Sequence, residues 1–237
     1  MEKPQLDIIQ EEKIRLRQEL SAGLTNLREP GRVAQQLRGF QPYRRAERIF
    51  VSPARELSQV RINCLVDGKE LIVAGPALKS GIYGFQAYSI DFKDLEHAVS
   101  FKGIEKYGNL LDLSRKQPVD LFLTDGLALN DDGVRLGDGN GFFDLAFALL
   151  VRSCPGNAWS PVVMACNQEQ VISEQIPRAP WDIDADFYIS SSGFHEFNSQ
   201  ASQSRNIREK GPIFWQQLSY ERIKKVTPLW NIWKNRS

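Results

Sequence analysis

The stretch that most constrains this chain is residues 119–153, VDLFLTDGLALNDDGVRLGDGNGFFDLAFALLVRS. Val119, Leu121, Phe122 and Leu123 form a short apolar run that stops at Asp125-Gly126, while Phe143, Phe147, Leu150 and Val151 recur at helical spacing. A buried strand therefore delivers a loop to the start of a helix. Between them Gly137, Gly139 and Gly141 alternate, which lets the backbone turn tightly and turn unpaired N–H groups toward an anion such as phosphate. Arg135, where the loop begins, supplies positive charge. On spacing alone the loop is either a phosphate cradle or a tight glycine turn without a ligand. It is not a P-loop, because no Gly-Lys-Ser/Thr closes it, and not the dinucleotide fingerprint, because Phe142 stands where a third glycine is required.

The rest of the chain supplies a sheet to carry this unit. Apolar spacing predicts helices over 5–28, 33–40, 56–67 and 92–101, and strands over 46–52, 70–75, 161–166 and 185–190. Strands alternating with helices demand a mostly parallel sheet covered on both faces, with the loops after the strands gathered along one edge. Lys79, the glycine loop and Gln170 fall on that edge. A length of 237 residues suits one α/β domain with a tail: residues 1–195 for the domain, 196–237 for a polar loop and a tryptophan-rich extension packed on it. Lys and Arg number 30 against 29 Asp and Glu, so no overall field points to nucleic acid or membrane. Cys64, Cys154 and Cys166 are widely spaced and odd in number, which favours reduced core thiols and a cytoplasmic setting. The mixed-charge N-terminus carries no apolar signal region, and no stretch approaches the length of a membrane span. His97 and His195 lack partners at metal-ligand spacing.

The string RLGDGNGFFD resembles the R-L-G-x-G-x-G-Y-Y-D signature of the 5-formyltetrahydrofolate cyclo-ligase family, also called methenyltetrahydrofolate synthetases. The longer run GLALNDDGVRLGDGNGFFDLAFALL is similar to the divergent branch known as methenyltetrahydrofolate synthetase domain-containing proteins, and the tail carries a comparable element. The resemblance implies a three-layer α/β/α sandwich of the kind shared with sugar-phosphate isomerases and CoA transferases. It also implies ATP-dependent closure of 5-formyltetrahydrofolate to 5,10-methenyltetrahydrofolate, with ATP as co-substrate and magnesium as cofactor.

Residue by residue, the resemblance places Lys13 and Arg17 of KIRLR, together with Arg135, Gly137, Asp138, Gly139, Asn140, Gly141, Phe142 and Phe143, on ATP. Arg135 would also stabilise the transferring phosphoryl group. Glu56 and Phe142 would contact folate, and Asp144 and Asp182 would hold magnesium. Each has a plainer alternative. Lys13 and Arg17 lie on one helix face and suit either a shared anion or solvent. Glu56 suits either a pterin edge rich in donors or the N-terminus of its own helix. Asp144 can equally stabilise the start of its helix, and Asp182 a turn.

The chain also departs from the family pattern. Phe142 and Phe143 replace two tyrosines, Asp138 puts a negative charge inside the loop, and Leu57 replaces the threonine usual after the glutamate. Three functions stay open: a folate cyclo-ligase, a nucleotide-binding paralog without that activity, and RNA binding through the basic, tryptophan-containing tail. The expected partners are folate and ATP, with neither membrane nor nucleic acid, for a monomer or homodimer.

Overall fold

In the computed structural model, residues 3–21, 27–197, 208 and 213–235 are described. Helix α1 (Lys3–Ser21) is followed by α2 (Pro30–Gly39), α3 (Gln41–Arg45) and strand β1 (Arg48–Val51). A 3-10 turn (Arg55–Leu57) opens α4 (Ser58–Val66), after which β2 (Glu70–Ala74) and β3 (Ile82–Phe85) pair antiparallel. Short elements α5 (Leu95–Ala98), α6 (Ile104–Tyr107) and β4 (Asn109–Leu110) precede β5 (Leu121–Thr124), β6 (Ala128–Asn130) and β7 (Arg135–Leu136). Then come α7 (Phe142–Ser153), β8 (Val162–Ala165), β9 (Val171–Ile172), β10 (Phe187–Ser190) and β11 (Gly193–Glu196), and finally α8 (Tyr220–Lys225) and α9 (Thr227–Lys234).

The main sheet has eight strands in the order β11-β10-β8-β5-β1-β2-β3-β4. Its five central strands, β10 to β2, run parallel, and the remaining strands pair antiparallel at the two edges. Alternation along the strands feeds two cores. Ile49, Val51, Leu71, Val73, Leu121 and Leu123 face α2, α4 and α5, whereas Phe50, Ile72, Ala74 and Phe122 face α7 and the tail. Strands buried on both faces read as unbroken apolar runs, as parallel strands between two helical layers must. The fold is thus the three-layer α/β/α sandwich that the sequence implies. A second, three-stranded sheet, β7-β6-β9, sits beside it.

Several boundaries differ from expectation. Helix α1 ends at Ser21, residues 22–26 lie outside the described part, and Leu27 and Arg28 are not helical. The expected helix over 92–101 is a 3-10 turn plus one α-turn that closes at Val99. Strands β3 and β11 and the small sheet carry no sequence expectation. They are two to four residues long, too short to display a period.

Candidate functional site

β1 is flanked by β2 on one side and β5 on the other, so the chain reverses its direction of travel across the sheet between β1 and β5. Open α/β sheets bind ligands outside the carboxyl ends of strands at such a switch point. A cavity of about 700 Å³ lies there, lined by residues that follow β1 (Ser52, Pro53, Ala54), β5 (Asp125, Gly126) and the glycine loop (Gly137, Asp138, Gly141). Ser52 and Thr124 tie the two strand ends together, hydroxyl to hydroxyl at 3.0 Å. Phe50, Phe101, Phe142 and Phe143 supply aromatic walls, and charges of both signs, among them Arg55, Glu96, Lys102 and Asp125, surround them.

Arg61 forms part of this lining and is fully buried. It stands on the apolar stripe of α4, and its guanidinium donates to the carbonyls of Ser52 (2.6 Å), Ala54 (2.8 Å) and Val99 (2.9 Å). Loss of water lowers its pKa to about 10, against the opposing pull of Asp125, so it remains a cation at neutral pH. Asp125 opens into the cavity. Its carboxyl is raised above the usual range, first by desolvation within the surrounding protein and then by Asp138 and Glu56, while Arg135 acts in the opposite sense.

The glycine loop departs from regular backbone where the sequence permits it. Gly139 (φ 94°) and Gly141 (φ 61°) adopt left-handed conformations, and Gly141 is the residue from which α7 starts. Asp138 turns its carboxylate onto Asn140, accepting from the backbone N–H at 2.9 Å and from Nδ2 at 2.7 Å. The negative charge inside the loop is therefore engaged by the loop itself. Arg17 also closes on the loop, with Nε donating to the Gly137 carbonyl at 2.9 Å. Arg222, from α8, donates to the Asn140 carbonyl.

Arg135 is buried, with its guanidinium 4.5 Å from the centre of the Phe143 ring. It donates to the carbonyls of Ile183 (3.1 Å) and Asp125 (3.3 Å) and to Asp144 Oδ1 (3.0 Å), which also accepts the Ile183 N–H. Lys13 is buried against Asp182, whose Oδ2 also accepts the Ala179 N–H at 2.6 Å. Burial raises the Asp182 carboxyl, Lys13 opposes this, and Asp144 adds to the rise. The two aspartates thus feel each other's charge.

The structure accordingly brings Lys13, Arg17, Arg135, the loop, Asp144 and Asp182 into one neighbourhood. Glu56 falls in the 3-10 turn before α4, half-buried. The cavity wall there is made by its neighbours Arg55 and Ser58, and the charge of Glu56 reaches Arg61 and Asp125. Lys79 is exposed, and its carbonyl accepts the Thr227 N–H at 2.8 Å, fastening the tail. Gln170 is buried, with its amide on the carbonyls of Gly126 and Leu127. Arg61, Asp125, Trp181 and Arg222 were not singled out from sequence. For Arg61 a signal existed, since Leu57, Val60, Arg61, Cys64 and Leu65 follow the i, i+3, i+4, i+7, i+8 spacing of a buried helix face.

A three-layer α/β/α sandwich with a cavity at its switch point and a glycine loop on the rim defines an open-sheet α/β protein with a candidate ligand site. Within that class the chain belongs to the 5-formyltetrahydrofolate cyclo-ligase family, whose profile matches residues 9–189. The methenyltetrahydrofolate synthase domain-containing protein of Bos taurus is 24% identical over 208 residues, which cover 86% of this chain and 53% of that protein. The Homo sapiens protein of the same name is 25% identical over 197 residues, covering 81% and 49%. The chain spans about half the length of these curated relatives. The NMR structure of Aquifex aeolicus 5,10-methenyltetrahydrofolate synthetase matches with a TM-score of 0.55 at 20% identity, covering 80% of this chain and 95% of that one, a likeness of fold. Among the described residues no helix is long and apolar enough to cross a membrane.

Proposed function

We propose that the chain is an ATP- and magnesium-dependent cyclo-ligase that converts 5-formyltetrahydrofolate, or a close folate relative, to the 5,10-methenyl form with release of ADP and phosphate. The observation that carries this reading is a shared wall. Gly141 and Asp144 line both the 700 Å³ cavity at the switch point and a second space of about 310 Å³ on the far side of the glycine loop. A folate in the first and a nucleotide over the loop would bring their reacting ends together at the start of α7.

The chemistry asks for this arrangement. The oxygen of an amide-like formyl group is a poor leaving group until it is phosphorylated, after which the neighbouring amine attacks the formyl carbon and phosphate departs. Catalysis of phosphoryl transfer is largely positioning and charge stabilisation. Lys13, Arg17, Arg135 and the loop amides are assigned to the phosphates. Phe142 and Phe143 shield the transfer from water, and Glu56, with Phe142, is assigned to the folate end. Magnesium takes oxygen ligands, commonly one or two carboxylates plus substrate phosphates. Asp144 and Asp182 fit it in chemistry and place, being carboxylates brought together where Asp144 accepts the N–H of Ile183, the residue after Asp182, at 3.0 Å. Bound there, magnesium would neutralise phosphate charge.

Two observations favour a second reading, a nucleotide-binding paralog without cyclo-ligase activity. Phe142 and Phe143 offer no hydroxyl, and in this structure Arg135 is paired with Asp144 and Lys13 with Asp182. Purified protein given magnesium, ATP and 5-formyltetrahydrofolate separates the readings. Methenyl absorbance together with ADP supports the ligase, ADP without methenyl product points to another substrate, and ATP binding without turnover supports the paralog. Arg135→Ala is expected to weaken nucleotide binding at least about tenfold, the scale of one lost charge-assisted contact. Unchanged affinity removes Arg135 from the phosphate site.

A further inference from the structure

The second space is built largely by residues outside the glycine loop. Its walls include Trp181 from the segment before β10, Phe214 and Leu218 from the tail, and Phe147 and Ala148 from α7. Trp181 and Phe214 meet edge to face, with centroids 5.7 Å apart, and so form an aromatic corner. The carboxamides of Gln10 and Gln217 border the same space, and Arg222 closes it against the loop. Gln10 lies one turn before Lys13 and two turns before Arg17 on α1, so a single helix face borders both the corner and the glycine loop.

Charge distinguishes this space from an ordinary packing void. Arg17 and Arg222 both close on the loop: a Cβ on Gly139 would meet the Arg17 guanidinium at 3.3 Å, and one on Gly141 would meet Arg222 at 4.0 Å. Both guanidiniums donate to loop carbonyls, and among the described residues neither closes an ion pair with a carboxylate. The Arg222 guanidinium also lies 5.6 Å from the centre of the Phe142 ring. Desolvation lowers the pKa of each arginine, opposed by Asp182 and then Asp138 for Arg17 and by Asp138 for Arg222. Two partly desolvated cations held on carbonyls, with carboxylates near but none in ion-pair contact among the described residues, beside an aromatic corner with amide edges, match a molecule that is planar and aromatic at one end and polyanionic at the other.

We propose that the C-terminal segment completes the nucleotide site: the purine packs in the Trp181–Phe214 corner, and Arg222, leaving the Asn140 carbonyl, takes a phosphate on the loop with Arg17. This rests on reading the glycine loop as a nucleotide phosphate site, and it adds a base subsite and a tail-borne phosphate ligand to it.

The test is calorimetric titration of the full chain with Mg-ATP and with magnesium tripolyphosphate, the same anion without a base. Arg222→Ala is expected to weaken both ligands about tenfold, as loss of a guanidinium–phosphate contact does. Arg222→Lys is expected to restore part of that loss. Trp181→Ala and Phe214→Ala are expected to weaken Mg-ATP and leave tripolyphosphate unchanged. Melting each variant without nucleotide, and requiring a wild-type transition, separates lost contacts from lost folding. Should Arg222→Ala bind both ligands as tightly as wild type, or more tightly, while Arg17→Ala weakens them, the tail is no part of the site and the glycine-loop reading stands alone. Should the wild-type chain bind neither ligand, that reading falls and this proposal falls with it.

Discussion

Arg61 occupies a position where the helix pattern asks for an aliphatic residue, and its three carbonyl partners explain why a cation is held there. The carbonyls of Ser52 and Ala54 belong to the segment leaving β1 at the switch point, where the ladder to β5 ends with the Ser52 N–H on the Leu123 carbonyl. Replacing the guanidinium by a leucine takes the charged donor from these oxygens, of which that of Ala54 keeps the Leu57 N–H at 3.1 Å. Arg61→Leu is therefore expected to cost about 3 kcal/mol, the scale of a broken buried charged network, read from the urea midpoint. Arg61→Lys is expected to recover little, since an ammonium cannot present the same planar fork. Periodicity places Arg61 on the buried face of its helix but does not name its partners, since the carbonyls it binds belong to segments that the helix pattern does not reach. The cysteines were more legible. Burial pushes the thiols of Cys64 and Cys166 up to about 12, so at pH 8 only about one molecule in ten thousand carries the thiolate. Iodoacetamide is expected to leave both unmodified in the native protein and to label them in urea, read by peptide mass.

At the scale of elements, the strand, loop and helix between residues 119 and 153 were legible because the strand is an unbroken apolar run closed by Asp125-Gly126, the helix is long enough to show its period, and the loop carries glycines where the backbone must turn. The hairpin joining β6 to β7 was not, although its constraint is stricter than that of the glycine loop. Gly133 has φ 77°, and a Cβ there would sit 2.4 Å from the carbonyl oxygen of Ala185, a backbone atom that cannot swing aside. Gly141 has a similar φ, yet its nearest neighbour would be the Arg222 side chain at 4.0 Å. The two alanine substitutions thus separate conformational strain from collision. Gly141→Ala is expected to cost about 1 kcal/mol, the left-handed penalty alone. Gly133→Ala is expected to cost at least about 3 kcal/mol, because strain and forced displacement of the segment before β10 add. Melting curves of the two variants check the ordering. Equal losses would show that the Ala185 backbone yields freely.

For the whole molecule, the governing fact is that α7 is apolar almost all the way round, with Phe143, Leu145, Ala146, Phe147, Ala148, Leu149, Leu150 and Val151 buried. The spacing of Phe143, Phe147, Leu150 and Val151 accounts for the face on the sheet. Leu145 and Leu149 need a second cover, as any helix without a polar face does. Ile223, Val226 and Leu229 of the tail share one apolar cluster with them, each nearly inaccessible to water. The tail is in this sense the outer layer of the sandwich on that side, and the same segment brings Arg222 to the loop. Leu229→Ala is expected to cost about 2–5 kcal/mol, the range for a leucine removed from a closed core. A chain ending at residue 212 is expected to lose far more, since it bares the outer face of α7. Its predicted signature is strong binding of an apolar dye with retained far-ultraviolet dichroism and a broadened melt, as in a state that keeps helices and strands but loses fixed packing. A truncated chain that instead melts as sharply and at the same temperature as the full one would mean that α7 keeps its packing without the tail, and the tail would then have to be regarded as an appendage rather than as a layer of the fold.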